Sequence, residues 1–161
     1  MSFEIKRLSE ENSASVAEIE KLCFSHPWSE ATVSSEIKSG FSDFFGAFSE
    51  DELAGYIGGR TICGETEIFN VAVAPKFRRK GMSDALIKKF IEAVRKKETQ
   101  VIFLEVRTSN LGAINLYEKN GLRIEAEIES IKKSLRDEQV DKRVLLLRAS
   151  SSTVKAKGSK G

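Results

Sequence analysis

Apolar residues recur along this chain at two periods, and the switches between them mark its elements. Phe3 to Leu8 can open as a strand. Val16, Ile19, Leu22 and Cys23 follow at helical spacing. His26-Pro27-Trp28 breaks that helix, because a proline disfavours helical backbone at the residue before it. Ser29 suits an N-cap and Glu30 a first turn. This second helix turns Val33 and Ile37 inward and stops near Gly40. Phe44 to Phe48, Leu53 to Ile62 and Glu65 to Val73 read as successive strands. Their turns fall at Glu50-Asp51 and Gly64, and Pro75 ends the third.

Met82, Leu86, Phe90 and Val94 then form a stripe at four-residue spacing, supported by Ile87 and Ile91. That pattern is an amphipathic helix. Val101 to Val106 is apolar on both faces, as in a central strand covered by helices. Asn110 can cap a short helix that carries Ile114 and Tyr117 and ends at Asn120-Gly121. Two strands, about Leu122 to Ser134 and Val140 to Leu147, would close the domain as a hairpin.

Composition narrows the class. A length of 161 residues suits one domain with one core. We expect that domain at 1–149. Residues 150–161 are rich in Ser, Lys and Gly and read as a disordered tail. The tail's lysines are either a solvated stretch or a contact for RNA or acidic partners. Apolar residues at 40% and charged residues at 31% point to a soluble globular chain. No apolar run reaches membrane-spanning length, and the first residues lack the apolar core of a signal peptide. Cys23 and Cys63 form no CxxC pair and the chain has one histidine, so no metal site is expected. Reduced thiols fit a cytoplasmic location. A net charge of +2 gives no ground for direct nucleic-acid binding.

The chemistry concentrates between Val71 and Asp84. A strand, Val71-Ala72-Val73, runs into the basic turn Arg78-Arg79-Lys80-Gly81, which runs into the helix start Met82-Ser83-Asp84. Helix N-termini present unpaired N–H groups and partial positive charge, so an anion fits there. Gly81 lets a ligand approach the backbone, and the three cations suit more than one phosphate. Neither the GxxxxGK[ST] nor the GxGxxG pattern is present, which sets aside a P-loop and a Rossmann dinucleotide site. On this basis alone the segment is either an anion site or a strand–helix connection with solvated cations.

Arg78-Arg79-Lys80-Gly81-Met82-Ser83 resembles the Gln/Arg-x-x-Gly-x-Gly/Ala motif of the GNAT superfamily of N-acetyltransferases. Further blocks resemble its ribosomal-protein alanine N-acetyltransferase (RimI) family. They are Pro27-Trp28-Ser29-Glu30, Phe69 to Val73, Leu104 to Asn110 and Ala113 to Leu122. The resemblance implies an α+β fold in α/β/α layers. Its sheet would be mixed and mostly antiparallel, with about seven strands and about four helices. It implies acetyl-CoA as co-substrate, with the pyrophosphate on the loop amides and the pantetheine arm along Val71 to Val73. The matching acceptor is a protein or peptide N-terminus, such as that of a ribosomal protein.

The resemblance also assigns roles. Glu105 matches the base for the incoming amine. Its strand parity with Val101 and Phe103 leaves it either exposed past the sheet's splay or buried as a base of raised pKa; a structural ion pair is the plain alternative. Tyr117 matches the general acid, against a packed aromatic. Asn110 matches a cofactor contact, against a simple cap. His26 reads as a surface residue, and Cys23 and Cys63 as core residues.

Two departures stand out. Ser83 replaces a small Gly or Ala, and Asp84 brings an acid towards a polyanion. The last hairpin reads Ile131 to Asp137 without the aromatic pair that holds the substrate's N-terminus in the RimI family. Acetylation of a small amine or lysine, and an acyl-CoA-binding sensor module, are therefore the competing readings.

Overall fold

The structure, a computed structural model, describes residues 2–128 and 142–148. Seven strands form one sheet in the order β1-β2-β3-β4-β5-β7-β6. They are β1 (Glu4–Arg7), β2 (Ser42–Ser49), β3 (Glu52–Ile62), β4 (Glu65–Val73), β5 (Val101–Arg107), β6 (Arg123–Ile128) and β7 (Lys142–Arg148). Only β4 and β5 pair in parallel. The helices are α1 (Ser13–Cys23), α2 (Glu30–Lys38), α3 (Met82–Arg95) and α4 (Leu111–Lys119). The expected α+β architecture is therefore present.

Local sequence explains the meander. Glu50 and Asp51 both take positive φ, as do Cys63 and Gly64. Two consecutive left-handed residues make the turn whose twist matches a right-handed hairpin. Alternation along the strands then divides the core in two. Phe45, Ile57 and Ile68 face α3, which supplies Leu86, Phe90 and Val94. Phe44, Tyr56 and Ala72 face the other way, against Val16 and Ile19 of α1 and Val33 of α2. Ser29 caps α2 as expected, accepting from the Thr32 N–H at 3.1 Å.

Two apolar expectations fail. Leu22 is 61% exposed, because the stripe of α1 that meets the sheet passes through Val16, Ile19, Glu20 and Cys23. Cys63 is exposed because it occupies the tip of the β3–β4 turn. Parts of the expected closing strands, the aromatic-free stretch Ile131 to Asp137 and the tail lie outside the described residues.

Candidate active site

The site begins where the sheet splits. β4 and β5 pair over three positions, from Glu65 with Val101 to Glu67 with Phe103. Beyond them β4 stays with β3 and β5 stays with β7, so the two strands part. An open groove of about 350 Å³ lies in the gap. A bulge sits at its mouth: Gly58 pairs with Asn70 and Gly59 with Ile68, which leaves Phe69 unpaired. Gly59 is required there, since a Cβ would lie 2.5 Å from both the Glu67 carbonyl oxygen and the Phe90 ring. The bulge turns two successive residues towards α1. Phe69 packs 5.3 Å from Trp28, centroid to centroid, and Asn70 donates to Glu20 at 3.2 Å.

Glu105, Tyr117, Asn110 and Val71 line this one groove. Glu105 is exposed, not buried. Its neighbours Leu104 and Val106 point to the covered face, while Glu105 points where the parting strands leave no cover. Tyr117 is only 6% exposed, and burial pushes its phenol well above the ordinary tyrosine range. Burial therefore favours its protonated form over the phenolate. Asn110 caps α4, its side chain accepting from the Ala113 N–H at 3.1 Å, and also lines the groove.

β4 leads through a 3-10 turn at Pro75–Phe77 to the basic segment and α3. Gly81, the N-cap, takes φ 81°, the left-handed region that favours glycine. No atom lies within 4 Å of where its Cβ would stand, so the approach to the helix end is open. The first helical hydrogen bond here runs from the Ala85 N–H to the Gly81 carbonyl, 3.1 Å. The N–H groups of Met82, Ser83 and Asp84 precede that ladder, which makes a cradle for an anion. The side chains diverge from it. Met82 is buried in the core, as are Ala72 and Val73, so these residues offer only their main chain. Arg78 turns back, its Nε donating to the Val73 carbonyl at 2.9 Å. Arg79 is exposed, and the Lys80 ammonium lies 5.8 Å from the Phe77 ring.

Asp84 stands beside the cradle with its charge already engaged by neighbouring donors. Its carboxylate takes Lys88 Nζ at 2.5 Å and Asn120 Nδ2 at 3.0 Å, with Lys119 Nζ at 3.7 Å. The Lys88 hydrogen bond leads the effects that hold its pKa below the usual carboxylate range. Asp84 thus ties the start of α3 to the end of α4.

Four further residues bear on the groove without having stood out in the sequence. Phe24, Glu67 and Asn70 line it. Glu20, 1% exposed, lies beneath Asn70. One signal was available for Glu20: it is a carboxylate on the apolar stripe of α1.

A family model described as the acetyltransferase (GNAT) family matches residues 13–122. The chain is 33% identical over 103 residues to the ribosomal protein bS18-alanine N-acetyltransferase of Escherichia coli K12, spanning 64% of this chain and 69% of that one. It is 31% identical over 125 residues to the N-alpha-acetyltransferase RimI of Mycobacterium tuberculosis, spanning 74% and 77%. The solved Escherichia coli ribosomal-protein-S18-alanine N-acetyltransferase superposes with a TM-score of 0.82 at 26% identity, covering 93% of this chain and 97% of that one. Arabidopsis thaliana NAA60, solved with acetyl-CoA, superposes at 0.81 with 13% identity, covering 91% and 98%, a likeness of fold alone. By its split sheet, its glycine-capped cradle and these relatives, the chain belongs to the acetyltransferase (GNAT) family, as an N-acetyltransferase of the RimI kind.

Proposed function

We propose that this enzyme moves the acetyl group of acetyl-CoA directly onto the N-terminal α-amine of a protein, with a ribosomal protein such as bS18 as the model acceptor. One observation carries the reading: the parting of β4 and β5 gathers a carboxylate, a protonated phenol and an uncovered strand edge into one groove. The open left-handed turn at Gly81 and the N–H groups of Met82, Ser83 and Asp84 fit a pyrophosphate. Arg79 and Lys80 add positive charge beside it. The edge from Val71 to Val73 offers main-chain groups to an extended amide arm, and Asn110 lies across the groove from it.

Transfer needs one proton removed and one supplied. Glu105 accepts the amine's proton, through water, as the nitrogen attacks the thioester carbonyl carbon. A β4 main-chain N–H polarises that carbonyl. The carbon–sulfur bond breaks as the amide bond forms, the Tyr117 hydroxyl donates a hydrogen bond to the departing thiolate, and that thiolate takes its proton from solvent. An α-amine suits an exposed carboxylate as base. With a reference pKa near 8, about 10% of it is neutral at pH 7, against below about 0.1% of a lysine. That difference spares the base roughly 3 kcal/mol of deprotonation.

Glu105→Gln tests the assignment. Turnover should fall about a hundredfold while thermal stabilisation by acetyl-CoA stays as in the parent. Undiminished turnover at saturating substrates removes Glu105 from the mechanism.

A further inference from the structure

A buried carboxylate that the transfer does not use lies under the groove. Glu20 is 1% exposed and accepts from three segments at once. The Trp28 main-chain N–H donates to Oε1 at 2.8 Å, the Asn70 amide donates to Oε2 at 3.2 Å, and the Tyr56 hydroxyl also donates to Oε2. All three donors are neutral. Tyr56 is itself 1% exposed. Burial first, and the Glu20 charge next, push its phenol far above the ordinary range, so it remains a donor.

This arrangement fixes Asn70. Its NH₂ group is the part turned to Glu20, donating to Oε2 beside the Tyr56 hydroxyl. Its Oδ1 is then left over. Among the described residues Oδ1 accepts no hydrogen bond, and it is not fully enclosed. Asn70 lines the groove that also holds Glu105. The β4 bulge is what brings it to that position.

We infer that Asn70 Oδ1 is a hydrogen-bond acceptor for the N–H of the substrate amine, and that Glu20 is the positioning residue that keeps it facing the groove. The inference rests on reading this groove as the acceptor site. An amine held through one hydrogen keeps its nitrogen aimed while another proton leaves to Glu105. The recognised chemistry is the amine itself, so the same role holds whether the amine belongs to an N-terminus, a lysine or a small molecule.

A double-mutant cycle of Glu20→Gln and Asn70→Ala tests it, run on whichever amine the parent enzyme acetylates. With Gln at position 20, its amide meets Asn70, and Asn70 is satisfied only by turning its oxygen inward and its NH₂ to the groove. The expected result is an acceptor KM raised about tenfold by either change, the size of one lost hydrogen bond to a charged group, with acetyl-CoA KM unchanged. The double variant should be no worse than Asn70→Ala alone, because Glu20 acts through Asn70. Effects that add, or an Asn70→Ala variant with the parent's acceptor KM, overturn the inference. A merely structural Glu20 would lower the melting temperature and leave the ratio of the two KM values unmoved. If Glu20→Gln does not fold, Asn70→Ala on its own still decides. A parent enzyme that acetylates only lysine or a small amine defeats the N-terminal reading and leaves this cycle intact.

Discussion

Tyr117 shows how burial sets a role at the scale of one residue. Its phenol is driven up by desolvation, so ionisation moves out of the range in which the enzyme works. In the proposed transfer the protonated form is the one that meets the sulfur. As pH rises, that form is retained past the point where an exposed tyrosine would lose it. Tyr117→Phe should lower kcat about a hundredfold at pH 7.5. The kcat–pH profile of the parent should carry no falling limb below about pH 10 that this change abolishes. A limb near pH 9 that disappears with Tyr117→Phe contradicts the assignment. Gly81 was legible from its place at a basic turn before a helix start, whereas Glu105 and Tyr117 drew their roles from the family motifs they match. Glu20 was legible only as an acid on an apolar stripe. Its partners Tyr56 and Asn70 lie 36 and 50 residues away, and only the folded sheet joins them.

Among elements, the joint between α3 and α4 matters most, since one bears the cradle and the other bears Tyr117 and the Asn110 cap. Asp84, Lys88, Lys119 and Asn120 form that joint. The sequence shows an acid beside a phosphate turn. It does not show that α4 returns two polar side chains to that acid. Asp84→Ala should lower the melting temperature by about 2–4 °C, the equivalent of about 1 kcal/mol for a surface network in a domain of this size. It should also weaken acetyl-CoA binding, because the cradle loses its anchor. A tighter-binding Asp84→Ala variant shows instead that its charge opposes the ligand. The sign of the pH effect is fixed: a depressed carboxylate stabilises above its unfolded pKa near 4, and the gain is lost as pH falls through its lower folded value. Apart from the far end of the first closing strand, which lies outside the described residues, strand and helix limits were legible to within about two residues, because period and turn chemistry are local. Strand order was not. β7 lies between β5 and β6, and its register with each is a property of the assembled sheet.

For the whole molecule, the decisive feature is that one sheet is paired at one end and open at the other. Three parallel pairs hold β4 to β5, and the groove opens beyond them. Apolar clusters pack helices against both faces of the sheet, and the groove stays open between the parted strands. The family resemblance foretold a mixed sheet of about seven strands, but not where it opens, since nothing in the residues of β4 or β5 states where their pairing stops. The most direct measurement of the central claim is mass-spectrometric mapping of acetyl transfer to one peptide with a free N-terminal alanine and an internal lysine, beside the same peptide with its N-terminus blocked. The account predicts acetylation of the α-amine in the first and no product in the second. Acetyl groups on the lysine of both peptides, at equal rates, contradict it.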